Sequence, residues 1–128
     1  MYADLDFWLA LLTDDDWLSD RAEHLLEEHE GKLEVSLATF IELLLVEERY
    51  TFDRERAVTA ILELATYSGD PDDVYQASEH IDEGLNTFDA FHAALSGGRI
   101  VSSDGAYDDI GSPERIRLEP DDSDGPGK

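Results

Sequence analysis

The stretch KLEVSLATFIELLLVEE, residues 32–48, changes its hydrophobic period partway along. KLEVSL (32–37) alternates apolar and polar residues, the period of a strand. From there Leu37, Phe40, Ile41, Leu44 and Leu45 recur at the spacing of a helical core face. Similar switches recur along the chain. MYADL (1–5) reads as a short strand running into FWLALL (7–12), an apolar helical segment that Asp14, Asp15 and Asp16 break. Ser19 offers an N-cap with Glu23 following, and Ala22, Leu25 and Leu26 form a stripe that ends at Gly31. Asp53 starts a helix whose stripe is Ala57, Val58, Ile61, Leu62 and Ala65. Asp70–Pro71 is a cap-plus-first-turn signal for the next, which carries Val74, Ala77, Ser78 and Ile81 and stops at Gly84. Asn86 or Thr87 caps TFDAFHAAL, and Gly97–Gly98 closes it. RIVSS (99–103) and RIRL (115–118) read as strands. Strands separated by helices predict an α/β fold, a mainly parallel sheet with helices on both faces. A single domain over 1–118 is expected, followed by a polar tail, EPDDSDGPGK (119–128), of disordered composition.

At 128 residues the chain is long enough for one proper core. It carries 32 acids against nine Lys and Arg, a formal net charge of −23, and its only lysines are Lys32 and Lys128. At ordinary ionic strength so much like charge repels itself and also repels nucleic acid. The acids are spread along the sequence rather than gathered in blocks, which points to a protein made for very high salt, where Coulomb forces are screened over a few ångströms. An acidic mimic of nucleic acid is the weaker reading. With no cysteine there is neither a disulfide nor a thiolate zinc site. No apolar run is long enough to span a bilayer, and the acidic MYADLD lacks the basic start of a signal peptide, so a cytoplasmic location without membrane attachment is expected.

In so acidic a chain, an acid becomes a functional candidate only through its surroundings. Glu42 is the only charged residue between Val35 and Val46. A carboxylate inside VSLATFIELLLV is expected to be partly buried, which is costly unless it is paired or bound to a cation. Asp89 lies in the first turn of TFDAFHAAL, where the helix dipole alone would favour an acid, but its neighbours Phe88, Ala90 and Phe91 are of core type. Asp4 and Asp6 flank Leu5 at a strand-to-helix junction, Asp6 being the better cap candidate. Asp104 precedes Gly105, as in a plain turn, and Asp108 and Asp109 suit a turn or the surface. In open α/β sheets, sites form at the carboxyl ends of strands. That edge is where Asp4, Glu42, Asp89 and Asp104 are all expected to emerge. Close carboxylates repel and need a counter-charge, which Mg²⁺ or Mn²⁺ supplies through oxygen ligands. Metal-dependent phosphodiester hydrolysis is the chemistry such a group would serve.

The succession YADLD, FIELLL, TFDAFHAAL and IVSSDGAYDDI resembles the PIN domain family, which includes VapC-type toxin ribonucleases of toxin–antitoxin pairs. The likeness spans residues 2–118 and is most specific in its last two segments. It implies a three-layer α/β/α sandwich with a central, mainly parallel sheet. It also implies Mg²⁺- or Mn²⁺-dependent RNA cleavage, an antitoxin partner and a homodimer. Residue by residue, Asp4, Glu42, Asp89 and Asp104 match the family's catalytic acids. The metal would be held by Asp4, Asp89 and Asp104, with Asp108 as a further carboxylate. Ser36 and Ser103 match small hydroxyl positions near the site. Leu5 stands where threonine is common and Asp6 where asparagine is common, and the visible basic cluster is limited to Arg49, Arg54 and Arg56.

The rival expectation is a non-catalytic PIN-like module that binds a partner protein, which Leu5 and the scarcity of basic residues favour. His24, His29, His80 and His92 share no ligand spacing. Trp8, Trp17, Phe40 and Phe91 read as core or interface rather than as RNA-stacking platforms.

Overall fold

A computed structural model describes residues 1–13, 17–50 and 52–118, with Glu48 described by its backbone alone. The expected break at Asp14–Asp16 and the expected disordered tail at 119–128 lie outside the described residues. Six helices run in chain order among the described residues: α1 (Leu5–Leu12), α2 (Ser19–Glu28), α3 (Leu37–Tyr50), α4 (Arg54–Leu64), α5 (Pro71–Asp82) and α6 (Thr87–Leu95). Between them lie β1 (Glu34–Val35) and β2 (Thr66–Tyr67), and after them β3 (Arg99–Ser102), a 3₁₀ turn at Gly105–Asp109 and β4 (Glu114–Arg117).

The helix starts show where several of the acids are used. Asp53 Oδ1 accepts from the Arg56 amide at 3.0 Å, Asp70 Oδ1 from Asp72 at 2.9 Å, and Asn86 Oδ1 from Asp89 at 2.9 Å. Each satisfies a backbone N–H that the helix itself leaves unpaired. Two cap expectations are corrected. Asp4 rather than Asp6 caps α1, its Oδ1 accepting from the Leu5 amide at 2.7 Å, because the helix begins two residues earlier than FWLALL suggests. Ser19 does not cap α2; its hydroxyl donates to the Ala10 and Thr13 carbonyls and ties α2 back to the end of α1.

All strand pairing is parallel, as expected, but the strands are short. The β1–β2 pair is joined in register Glu34 to Thr66, and the β3–β4 pair in register Arg99 to Glu114. The opening strand shrinks to a bridge between Tyr2 and Glu34, because Asp4 already turns the chain into α1. KLEVSL likewise contributes only Glu34 and Val35, since α3 starts at Leu37. The β2 strand was not expected. It follows α4 directly, and its two residues give no alternation to read. The fold is therefore mixed α/β, rich in helix, with two two-stranded parallel sheets among the described residues.

The core is built mainly by helix faces. Trp8, Phe40, Leu43, Val58, Ile61 and Val74 are its largest fully buried side chains. Phe40 stands edge-on to Tyr67, with ring centroids 5.1 Å apart, and so ties α3 to β2. One half-buried cation, Arg54, joins three helices by ion pairs to Glu47 of α3 and Asp82 of α5. No helix among the described residues is long and apolar enough to cross a membrane.

Two outcomes are expected in molar potassium chloride. Phe40→Ala should lower the unfolding free energy by about 3–5 kcal/mol, whereas Glu42→Ala should stay within about 0.5 kcal/mol of wild type. Urea unfolding measures both. Lowering the salt should reduce the melting temperature, because screening of the like charges is lost.

Candidate functional site

The carboxyl end of β3 leads through Ser103 to Asp104, which caps the 3₁₀ turn: its Oδ1 accepts from the Ala106 amide at 2.9 Å. That turn places Tyr107 in the core with 3 % of its surface exposed. Its hydroxyl reaches back to α6 and donates to Asp89 Oδ1 at 3.3 Å. The other oxygen of Asp89, Oδ2, accepts from Asn86 Nδ2 at 2.9 Å. Asp89 is thus held on both oxygens by neutral donors, one from its own helix cap and one from the turn after β3.

Burial pushes the Tyr107 phenol up to about 12, helped by the charge of Asp89, its hydrogen bond, and the charge of Asp104. Two acids fifteen positions apart in sequence therefore act on one phenol, and the phenol stays a neutral donor at any ordinary pH. Only part of the expected convergence is seen, however. Asp4 is an exposed cap, with no contact recorded to Asp89 or Asp104. Close to it in sequence, the Tyr2 hydroxyl meets Ser36 Oγ at 2.8 Å and the buried Thr39 Oγ1 at 3.2 Å, so Ser36 belongs to a hydroxyl group at the end of β1.

Glu42 is corrected from half-buried to exposed. Helix α3 buries Thr39, Phe40, Leu43 and Leu44, which leaves Ala38, Glu42, Leu45 and Arg49 on the outward face. The apolar stretch around Glu42 reflects an apolar patch at Leu45 on that outer face, and water removes the need for a counter-charge.

Asp108 is engaged elsewhere. Arg115 donates from Nε to its Oδ1 at 3.0 Å and from a terminal nitrogen to its Oδ2 at 2.7 Å, while also donating to the Ser102 carbonyl at 2.9 Å. Those bonds, with the charges of Arg115 and Arg117, hold the Asp108 carboxyl below its usual range. A lowered carboxyl stabilises the fold above its unfolded pKa and loses that contribution as the pH falls through the folded value. Among the described residues, no three His, Cys, Asp or Glu side chains form a group that could hold a metal ion.

Sequence reasoning missed Tyr107 and Arg115. Tyr107 is the only tyrosine between Asp89 and Asp108, but a pattern of carboxylates draws no attention to a phenol or guanidinium that binds them. It also counted Arg54 as a visible cation, whereas Glu47 and Asp82 neutralise it. Of the four aromatics expected in the core or at an interface, Trp8, Phe40 and Phe91 are in the core and Trp17 is exposed. A separate open cleft of about 650 Å³ lies between α5, the end of α6 and residues 111–112, lined by Asp73, Glu79, His80 and Glu83; it shares no residue with the Asp89 group.

Compared with family models, curated proteins and solved structures, the chain matches none.

The Tyr107 environment is checked by tyrosinate absorbance during alkaline titration. Tyr107 should ionise near pH 12, and Asp89→Asn should lower that value more than Asp104→Asn does. Because the folded value is raised, the associated stability is present below the ordinary tyrosine pKa of about 10 and is lost as the pH rises toward the folded value. In wild type the urea midpoint should therefore fall across that window, and Tyr107→Phe should flatten the fall.

Proposed function

We propose that the chain is a PIN-like, Mg²⁺- or Mn²⁺-dependent endoribonuclease, the toxin of a toxin–antitoxin pair, with its helices and parallel strands arranged as an α/β/α sandwich. The observations that support it most are the Tyr107 hydroxyl bond to Asp89, which links the start of α6 to the turn after β3, and the charge of Asp104 felt at the same phenol. Mg²⁺ is usually held by one or two carboxylates plus waters and substrate phosphates, so two acids are a sufficient protein contribution. The donor set fits in kind. Carboxylate oxygens are hard ligands, and Asp104 Oδ2 accepts no recorded hydrogen bond from the described residues. When bound, such an ion activates water and stabilises charge on the phosphodiester in the transition state.

The chain's own residues divide the work. Asp89 and Asp104 hold the ion, and Asp4 and Glu42 add to the general acidic surface. Asp108 is left out of the metal shell, since both its oxygens serve Arg115. Arg117 follows on the same face of β4, exposed, with its charge felt at Asp108. It would lend positive charge toward an RNA phosphate in a chain otherwise poor in basic residues. Cytoplasmic location, an antitoxin partner and a homodimer belong to the same proposal.

A second reading, the non-catalytic interaction module, is favoured by one observation: Asp4 and Glu42 stand exposed and separate from the Asp89 group, so the full set of family acids is not gathered. The two readings part on cleavage. In molar potassium salt with Mn²⁺, the nuclease should cut RNA, and Asp89→Asn or Asp104→Asn should reduce the rate by at least about a hundredfold, the scale of losing a general acid–base or metal ligand, with unchanged unfolding. Arg117→Gln should raise KM with little effect on kcat. Cleavage by both carboxamide variants at the wild-type rate would refute the nuclease, and a wild type without any Mn²⁺-dependent cutting would favour the module.

A further inference from the structure

Resting on the metal site proposed above, we infer that Tyr107 is a positioning residue, its hydroxyl fixing the Asp89 carboxylate, with Asn86, for a cation shared with Asp104. The hydroxyl is the informative atom. A phenylalanine would fill the same buried space, and burying an O–H is unfavourable unless it finds a partner. Its recorded partner is Asp89. At 3.3 Å this bond is long for an O–H···O contact, so it adds little to folding. Hydrogen bonds around a reaction site are often long in the unliganded state and tighten on binding.

The lone-pair count also fits. An ionised carboxylate offers about four acceptor sites. Tyr107 takes one on Oδ1 and Asn86 one on Oδ2, so each oxygen retains capacity for a cation. Both donors are neutral. An arginine in the same place, as at Asp108, would satisfy the carboxylate electrostatically and compete with the metal. The contrast between the two acids is the point: Asp108 is neutralised by a guanidinium, whereas Asp89 is oriented without being neutralised. Partners that orient a ligating group in this way typically contribute 10- to 100-fold to metal affinity.

The test is direct Mn²⁺ binding, read from the electron paramagnetic resonance of free Mn²⁺ in molar potassium chloride, beside melting temperatures in chelator. Tyr107→Phe should weaken Mn²⁺ binding by about tenfold or more while its melting temperature in chelator stays near wild type. Asn86→Ser, which keeps a capping oxygen for α6 but removes the Nδ2 donor, should weaken binding in the same direction and carries the test should the first variant fold poorly. Asp89→Asn should abolish the site. Wild-type affinity in both Tyr107→Phe and Asn86→Ser, with Asp89→Asn still losing the ion, overturns the positioning role and leaves the metal site standing. A wild type that binds no Mn²⁺ overturns both.

Discussion

The contact between Tyr107 and Asp89 joins the two segments on which the functional account depends, the start of α6 and the turn after β3. In a chain with a net charge of −23, bringing Asp89 and Asp104 to one phenol works against strong mutual repulsion. The geometry holds them by local bonds instead. Asp104 is fixed by capping its own turn and Asp89 by its cap residue, and the buried phenol sits where both charges reach it. Carboxylates fixed in this way are poorly compensated by the protein, which is the condition in which a divalent ion binds well.

Several of the other acids are used in ways that require no ligand. Asp4, Asp53 and Asp70 satisfy helix N-termini, Asp82 and Glu47 engage Arg54, and Asp108 engages Arg115. This distribution separates a general acidic surface from a local site. An acid whose oxygens are met by a cation is accounted for by the fold, whereas one that spends a single oxygen on a cap, as Asp104 does, keeps the other. Asp89 is different, because its donors are neutral and one of them is a buried tyrosine.

Helix positions were legible in the sequence because they depend on local signals: Asp53, Asp70 with Pro71, and Asn86 each begin a helix, and left-handed glycines at 84, 97 and 98 follow the ends of α5 and α6. The strands were legible in direction but not in extent. Their length is set by how early the next helix is capped, so MYADL became a single bridge once Asp4 turned the chain. β2 lacked enough residues to show a period. Asp89 and Asp104 were singled out from their expected place on one edge of the sheet, and the Tyr107 bond to Asp89 links those two segments, the start of α6 and the turn after β3. Glu42 was misread because a long apolar neighbourhood does not imply burial: α3 is apolar at Leu45 on its outer face as well. Tyr107 was hidden because its role depends on a hydrogen bond to a residue on another element, which no local pattern encodes.

The central claim is that Asp89 and Asp104 share a divalent cation. Anomalous scattering from a Mn²⁺-soaked crystal grown at high potassium salt tests it most directly. The account predicts a single strong peak bonded at about 2.1 Å to an oxygen of each carboxylate, with Tyr107 still donating to Asp89. Absence of a peak there, or peaks only at the surface acids of α4 and α5, would contradict it.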